Sequence, residues 1–357
     1  MFTKFCSFQH LVLIGIMSVA LVGAAFPAAA ATKLVDCTKG KDLQKEIDGA
    51  ASFDIIEIKG ICMTNILIQD KAVTLIGHAS PGPHGITGVA ANTDGVRIEN
   101  SRGTRLEDLT INNPFFTGVR MRRHSQVVME DVEISNSFAG SGTGIWVEEA
   151  SLFNGIRLRL DNNLRGLGAT TNSQAFCYEC DLNNNVAWAA TSIRYSLVSL
   201  LDSEVNGDRG INALIYAYID IDCFSHSSSH ACQLDAVLIA GLANLESTVA
   251  FFDAADFSGR LTAFDRSSVQ VLGARQVSNP GANQIDGESS LRVEPFSGNS
   301  RLTGHTEVSG FSHALFYDGS TVLDGSLNCS AAGDAWVDSA IDLGTPGYAI
   351  TDCDHAP

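Results

Sequence analysis

A repeat of about 22 residues is the feature that most constrains the fold of this chain. From Gly95 to about Ile211, short strand-like segments that begin with glycine alternate with second short strands and asparagine-rich corners. The glycine-started segments are Gly95–Ile98, Gly118–Met121, Gly144–Val147, Gly166–Ala169 and, more loosely, Gly210–Ala213. Their starts lie 23, 26, 22 and 44 residues apart, the last interval being two repeats. A period of this length, built from strand-sized segments, predicts an all-β solenoid whose turns stack on one another.

The first 31 residues have the composition of a secretory signal peptide. Lys4 precedes an apolar run from Leu11 to Ala25, and small residues follow up to Ala31. This order predicts export and cleavage near Ala31. The apolar run is shorter than the roughly 20 residues that a spanning helix needs. We therefore expect a secreted or periplasmic protein that does not insert into a membrane after cleavage.

The net charge limits the classes of partner. The full chain carries a formal net charge of -17, and removal of residues 1–31 takes away one lysine and no acidic residue, which leaves -18. A surface of this sign repels nucleic acid at long range. It also repels acidic polysaccharides unless a local basic patch or a bound cation overrides the field. The composition therefore excludes nucleic acid as the expected partner.

Eight cysteines remain after the predicted cleavage site, and an even number in an oxidising compartment predicts disulfides. Eight cysteines allow 105 pairings, so the sequence does not decide among them. Pairing between nearest neighbours is the preferred hypothesis, and a metal or redox role for the C-x-x-C pair stays open. The eight are Cys37, Cys62, Cys177, Cys180, Cys223, Cys232, Cys329 and Cys353.

The chain reads as one solenoid domain with a cap at each end. Leu43 and Ile47 lie four residues apart in a segment from Asp42 to Ala50, which predicts a short helix. Such a helix would cover the open end of the first turn, which otherwise exposes unpaired strand edges. We expect an N-terminal cap over residues 32–50, a solenoid over 51–325 and a C-terminal cap over 326–357.

These stacked turns resemble the right-handed parallel β-helix of the pectate lyase-like superfamily, and the chain looks like an exported bacterial member. The resemblance covers nearly all of the mature chain, including the opening from Val35-Asp36-Cys37 to Val73–Gly77. It implies that corner asparagines stack in a ladder and bond the backbone and each other. The expected ladder consists of Asn112, Asn136, Asn162 and Asn183.

Side chains alternate between the two faces of a strand, so the second and fourth residues after each glycine are predicted to face outward. Stacked turns then place equivalent residues about 4.8 Å apart in vertical columns. The first predicted column is Arg97, Arg120, Trp146, Gly168, Trp188 and Asn212. The second is Glu99, Arg122, Glu148, Thr170, Ala190 and Leu214.

The two columns suggest a polysaccharide-binding groove. Trp146 and Trp188, separated by a glycine, would offer two flat faces with a gap suited to sugar rings. Arg97 and Glu99 would bind substrate through charged hydrogen bonds. The alternative is that the arginines and glutamates form ion pairs on a solvated face.

The resemblance to pectate lyases implies a specific chemistry. A lyase that eliminates from a uronate needs a base beside the acidic carbon and positive charge for the resulting anion. The resemblance implies Arg120 or Arg122 as that base, and we include Glu148 among the catalytic candidates. Calcium is a candidate cofactor, although no specific metal motif is present. Acidic residues that could supply oxygen ligands are Glu99, Asp108, Asp131 and Glu148.

Two alternatives to a lyase remain. Asn92-Thr93-Asp94-Gly95 resembles the N-T-D-G segment of polygalacturonases, which hydrolyse their substrate with paired carboxylates. The likeness ends there, because no adjacent aspartates follow in the next turn, and Asp94 can equally be a turn residue. The other alternative is a protein that binds glycans or proteins without catalysis, since this fold serves both purposes.

Overall fold

The computed structural model describes residues 30–113, 115–140, 142–207, 210–214, 217–222, 238–240, 243–246, 249–253, 256–258, 260–272, 275–278, 281–294, 300–317, 321–323, 326–330, 333–337, 349–351 and 353. The predicted signal peptide falls almost entirely on residues 1–29, and Cys223 and Cys232 lie in 223–237, all outside the described residues.

The described residues form three long parallel sheets. The first sheet has 14 strands, at Thr32–Asp36, Ile55–Lys59, Thr74–Gly77, Arg102–Glu107, Gln126–Glu130, Leu152–Ile156, Gln174–Tyr178, Leu197–Leu201, Tyr218–Asp222, Val249–Asp253, Ser268–Leu272, Ser290–Glu294, His313–Phe316 and Asp334–Val337. The second has 13 strands, at Ile66–Gln69, Val96–Glu99, Val119–Arg122, Thr143–Val147, Arg165–Thr170, Trp188–Ile193, Ile211–Leu214, Ala243–Glu246, Leu261–Phe264, Asn283–Ile285, Thr306–Val308, Ser326–Cys329 and Ala349–Thr351. The third has 12 strands, at Ile61–Met63, Gly85–Thr87, Thr110–Asn112, Glu133–Ser135, Arg159–Asp161, Asp181–Asn185, Glu204–Gly207, Leu238–Ala240, Asp256–Ser258, Arg275–Ser278, Arg301–Thr303 and Thr321–Leu323.

Each turn of the chain contributes one strand to each sheet. After the first turn, a strand of the first sheet is followed by one of the third sheet and then one of the second, before the chain returns to the first sheet one level higher. Residues one repeat apart therefore pair: Val119 lies between Val96 and Ile145. The predicted all-β fold of stacked parallel turns is confirmed. Strand pairing also extends past the predicted limits of 51–325 at both ends.

Inward-facing apolar side chains fill the space between the sheets. Val96, Val119 and Ile145 have no exposed surface, and the aromatic rings of Phe153 and Phe252 are equally enclosed. Because the glycine-started strands supply an apolar residue one and three places after the glycine, the core continues from turn to turn. The interior of the described turns is thus mainly a column of apolar side chains, with a few buried polar residues such as Thr104 and Ser192 in the strands.

The corner between the second and first sheets carries a ladder of buried serines that the sequence analysis missed. Two consecutive residues with positive φ, such as Arg123 and His124, turn the chain, and the serine that follows points inward. The backbone N–H of each serine donates to the hydroxyl of the serine one turn higher. These bonds join Ser101 to Ser125 at 3.3 Å, Ser125 to Ser151 at 3.1 Å, Ser151 to Ser173 at 3.2 Å and Ser173 to Ser196 at 3.3 Å.

The corner after the third sheet carries the asparagine ladder, but not at the predicted residues. Asn136 and Asn162 are the turn residues, with φ of 63° and 54°, so their side chains stay at the surface. The ladder is formed instead by buried side chains, in which Asn163 Oδ1 accepts from Ser137 N at 3.0 Å and Asn185 Oδ1 accepts from Asn163 N at 3.1 Å. The prediction of Asn112, Asn136, Asn162 and Asn183 was therefore wrong by one or two residues, because a left-handed turn residue reverses which neighbour faces the core.

A short helix lies at the N-terminal end of the stack. It spans Leu43–Asp48, shorter than the predicted 42–50, and Asp42 caps it by accepting from Lys45 N at 3.1 Å. A 3-10 turn at Cys37–Lys39 precedes it. Gln44 of the helix bonds both backbone groups of Leu67 in the outermost strand of the second sheet, at 2.7 and 3.0 Å. The capping roles assigned to residues 32–50 and 326–357 stay predictions.

Within the described ranges, three disulfides join nearest neighbours, as predicted: Cys37 to Cys62, Cys177 to Cys180, and Cys329 to Cys353. The C-x-x-C pair is a disulfide whose two cysteines are buried. Bonds that close loops of 25 and 24 residues each contribute on the order of 3–4 kcal/mol in the chain-entropy treatment. Among the described residues, no helix has the length and apolar character needed to cross a membrane.

Candidate functional site

The first four members of the first predicted column are in register. Arg120 pairs with Arg97 below and with Trp146 above, and Trp146 pairs with Gly168. The prediction of Trp188 in this column was wrong, because Gly168 pairs with Thr191. Thr191 in turn pairs with Asn212, so Asn212 lies in the first column as predicted.

Trp188 is displaced because its turn has no glycine start to mark the register. The strand Trp188–Ile193 begins opposite Arg165, so Trp188 lies beside Arg165, three residues before the column position. For the same reason Ala190 is not in the second column. It pairs with Leu167 and is fully buried, whereas Ile193 takes the column position above Thr170.

The lower part of the second sheet forms a surface that we call the charged face, made of Asp94, Arg97, Glu99, Arg120, Arg122, Trp146 and Glu148. Each arginine forms an ion pair with at least one carboxylate. Arg122 lies 3.5 Å from Glu148 and 3.9 Å from Glu99, and Arg97 lies 3.2 Å from Glu99. Arg123 and Glu149, which flank the face, add ion pairs of 2.6 Å to Glu99 and Arg122 respectively. The expected ion pairs between adjacent strands are thus present, and Glu99, with 5% of its side chain exposed, is their most buried member.

The ion pairs hold Arg122 in its charged form. The hydrogen bond that Arg122 donates to Glu149 raises the pKa of the guanidinium, and nearby Glu148 and Glu99 act in the same direction. The same bond lowers the pKa of the Glu149 carboxyl. A base must give up its proton near the working pH. These contacts therefore oppose the predicted role of Arg122 as a base.

Asp94 lies at the centre of the charged face, although the sequence analysis left open a simple turn role. It immediately precedes the glycine of the strand Val96–Glu99, and only 6% of it is exposed. Its Oδ1 lies 3.4 Å from Arg120 Nε, and both atoms are buried without a hydrogen-bond partner. Burial raises the pKa of the Asp94 carboxyl and Glu148 adds to the rise, while Arg120 and Arg97 oppose it.

Glu148 lies on the other side of Arg120. Its Oε1 is 4.0 Å from the same Nε, and its Oε2 accepts from the indole Nε1 of Trp146 at 3.3 Å. Arg120 thus lies between a buried carboxyl and a partly exposed one. The Arg120 guanidinium lies over the ring of Phe116, 5.1 Å from its centroid, in a cation–π contact.

An apolar border that the sequence analysis did not identify runs beside this face. The loops that enter the strands Val119–Arg122 and Thr143–Val147 carry exposed aromatic side chains, Phe115 at 37% and Phe138 at 44%. Phe116, the ring under Arg120, belongs to the same loop as Phe115. Exposed aromatic side chains in equivalent loops of successive turns were a usable signal in the sequence. The charged face is therefore flanked by aromatic surface.

The acidic residues proposed as calcium ligands do not assemble. Glu99 and Glu148 lie on the second sheet, where arginines occupy them. Asp108 and Asp131 are turn residues after strands of the first sheet, and Asp131 is held by Arg157 at 2.7 Å. Among the described residues, no group of three or more histidine, cysteine or acidic side chains is placed to hold a metal ion. The residues present do not fit the proposed calcium site.

The topology of three parallel sheets, one strand per turn in each, decides the architecture. The chain is a parallel β-helix protein. No protein-family model and no curated protein matches it. Solved structures similar to this parallel β-helix include the Dettilon tailspike protein, at 12% identity, 88% coverage of this chain and a TM-score of 0.42. A second is ORF18 of Geobacillus virus E2, at 12% identity, 90% coverage and a TM-score of 0.37.

A third similar structure is the catalytic domain of a GH87 alpha-1,3-glucanase in complex with tetrasaccharides, at 12% identity, with 92% of this chain and 69% of that chain covered and a TM-score of 0.35. This parallel β-helix spans 63% and 61% of the tailspike and ORF18 chains. At these identities the likeness concerns the fold.

The Cε3–Cζ3 edge of the Trp146 indole lies against Gly168, so the gap predicted between two tryptophans is occupied by Trp146 itself. A Cβ at position 168 would overlap the six-membered ring. We expect Gly168→Ala to displace the indole and to shift the wavelength of its fluorescence emission. The emission would be measured in a background where Trp188 and Trp336 are phenylalanine. Gly281→Ala is the control, since its Cβ would meet nothing closer than 3.6 Å; equal effects of both variants would contradict the expectation.

Proposed function

We propose that the charged face binds a polysaccharide and cleaves it by acid–base chemistry with Asp94 and Glu148. The observation that carries this proposal is that two carboxyls, one from the turn before Arg120 and one from the turn after it, each lie within 4.0 Å of its Nε. Exposed Phe115 and partly exposed Trp146 add apolar surface on which sugar rings stack.

Glycoside hydrolysis needs one protonated carboxyl and one ionised carboxylate, about 5–10 Å apart depending on the stereochemical outcome. The facing oxygens of Asp94 and Glu148 can be no farther apart than their distances to Arg120 Nε taken together, 3.4 and 4.0 Å. Asp94, whose raised pKa favours the protonated form, suits the general acid that protonates the leaving oxygen. Glu148 suits the group that activates water or attacks the anomeric carbon. Arg120 keeps both side chains in place.

A lyase is the second candidate, because one surface carries Arg97, Arg120 and Arg122, with Arg123 beside it. Such a cluster attracts uronate carboxylates and stabilises the anion formed by proton removal. The raised pKa of Arg122 argues against it as the base, so this mechanism depends on Arg120. Non-catalytic binding by the same face is the third possibility that the test must separate.

The test is incubation of the purified chain with neutral and acidic plant, algal and animal polysaccharides, with and without calcium. New reducing ends without ultraviolet absorbance support hydrolysis, and absorbance from unsaturated sugars supports the lyase mechanism. Binding without either product supports the non-catalytic role. If product forms, we expect Glu148→Gln to lower its rate by about 100-fold or more; an unchanged rate would show that the carboxyl pair is not the site.

Export is a second part of the proposal. Three disulfides among the described residues suit an oxidising compartment such as the periplasm or the extracellular medium. Fractionation of the producing cells, followed by N-terminal sequencing, tests both the destination and the predicted cleavage near Ala31. Recovery of uncleaved chain from the cytoplasm would contradict export.

A further inference from the structure

A cleft lies on the second sheet, which also carries the charged face, at turns nearer the C-terminal end of the chain. Its volume is about 440 Å³, in the range of small-ligand sites. The residues that line it are Thr262, Ala263, Phe264, Asp265, Gln284, Asp286, Glu307 and Ser309. The column that contains Arg120 and Trp146 continues through this cleft, because Thr262 pairs with Gln284 and Gln284 with Glu307.

The lining has a consistent chemical character. Its described lining residues include the three acidic residues Asp265, Asp286 and Glu307 and no basic residue. Partly exposed Phe264 supplies an aromatic surface, and Gln284 and Ser309 supply neutral polar groups.

The carboxylates are held in place by local contacts that leave them able to accept further hydrogen bonds. Asp286 Oδ1 accepts from the N–H of Gly287 at 2.8 Å, and Glu307 Oε1 accepts from the hydroxyl of Ser330 at 3.3 Å. An ionised carboxylate has about four acceptor positions, so each retains capacity for a ligand donor. Carboxylates that accept from hydroxyls, beside an aromatic ring that packs on C–H groups, match the two faces of a sugar.

We propose that this cleft is a second sugar-binding subsite that accepts hydroxylated sugar residues without an acidic group and excludes uronates. Exclusion follows because the carboxylates of Asp286 and Glu307 in the lining repel an anionic ligand. An amino sugar carrying an ammonium group binds more tightly at low salt, since it is attracted by the same charges.

The spacing relates this cleft to the charged face. Five register steps separate Trp146 from Thr262, through Gly168, Thr191, Asn212 and Asn244, which corresponds to about 24 Å at 4.8 Å per step. Occupation of both sites by one polymer rests on the proposed function, whereas sugar binding in the cleft does not. A polymer that reaches both sites gains affinity through effective concentration without new contacts.

The experiment measures binding of four short probes, cellotetraose, xylotetraose, a glucosamine tetramer and trigalacturonate, by calorimetry. The wild type is compared with Asp286→Asn/Glu307→Gln, with Trp146→Ala on the charged face, and with Glu288→Gln, whose exposed ion pair to Arg266 lies outside the cleft. We expect at least one neutral or amino probe to bind, to lose affinity about tenfold in the double variant, and to be unaffected by Trp146→Ala and Glu288→Gln.

Absence of binding by all neutral and amino probes, or a loss in Trp146→Ala equal to that in the double variant, would overturn the proposal. Preferential binding of trigalacturonate that depends on Asp286 and Glu307 would overturn it as well. A wild-type thermal midpoint in each variant shows that folding is intact. Failure of the polysaccharide cleavage test leaves this result untouched, because the probes report binding at the cleft alone.

Discussion

Asp94→Asn is expected to lower the rate of polysaccharide cleavage by about 100- to 10,000-fold, the range found for removal of a general acid. Asparagine keeps the shape of the side chain but has no proton to give to a leaving oxygen. Binding of the uncleaved polymer is expected to change little, because the aromatic border and Trp146 remain. Initial rates and binding constants measured on the same polysaccharide check both parts.

The same substitution is expected to leave the protein at least as stable at neutral pH. A carboxyl whose pKa is raised by folding stabilises the native state below its ordinary value of 3.8, and this contribution is lost as the pH rises through the raised pKa. Asparagine does not ionise. The thermal midpoint of the variant minus that of the wild type should therefore increase as the pH rises from the ordinary pKa of the carboxyl through the raised pKa. Midpoints that coincide at low pH and separate as the pH increases would show the effect.

Glu288→Gln is the matched control, since it removes a carboxylate whose side chain is 56% exposed and far along the chain from the charged face. Glu288→Gln should leave the cleavage rate at the wild-type value. Its thermal midpoint should vary with pH in parallel with that of the wild type. An Asp94→Asn variant that cleaves at the wild-type rate would rule out the acid–base proposal. A variant that fails to fold would instead show that Asp94 is needed for the corner.

Asn185→Ala is expected to lower the free energy of unfolding by about 2–4 kcal/mol. The asparagine is fully buried, accepts from Asn163 N at 3.1 Å and donates to Leu160 O at 2.9 Å. Alanine would leave a buried N–H and a buried carbonyl without partners, at a cost of about 1–3 kcal/mol each. Urea unfolding followed by circular dichroism measures the difference.

Asn183→Ala provides the matched comparison two residues away. Asn183 was the ladder member predicted from the sequence, yet its side chain is partly exposed and donates a hydrogen bond to the side chain of Asp181. Its replacement should cost less than about 1 kcal/mol, as is usual for surface positions. If the two variants lost equal stability, the assignment of the ladder to the buried residue would be wrong.

Much of the architecture could be predicted because the repeat encodes it directly. Apolar residues one and three places after each glycine define a strand buried on one face, and the recurrence of Val96 as Val119 and Ile145 defines their stacking. The nearest-neighbour pairing of Cys37 with Cys62 and of Cys329 with Cys353 could be chosen because the two cysteines of each pair lie about one turn apart and meet in space.

The errors in the predicted asparagine ladder and in the predicted columns share one cause. Residues were counted through corners whose backbone conformation the sequence does not show. Two left-handed residues before Ser125, or one before Asn163, decide which side chain turns inward, and glycine is absent from most of these positions. The turn that contains Trp188 lacks the glycine that marks the strand start, so an alignment by glycine displaced this tryptophan by three residues. The local sequence pattern does not reveal these changes of register, because they arise from backbone conformations that many residue types adopt.

The sequence by itself determined that the chain winds in stacked turns with parallel strands, since the repeat, the alternation of apolar residues and the cysteine spacing are local properties. Only the tertiary structure decided which polar residues meet. Asp94 and Glu148 lie 54 positions apart in the chain, and their common contact with Arg120 depends on the corner geometry of two turns. A contact between side chains from different turns depends on register to within a single residue, and register is set by packing and corner conformation throughout the stack.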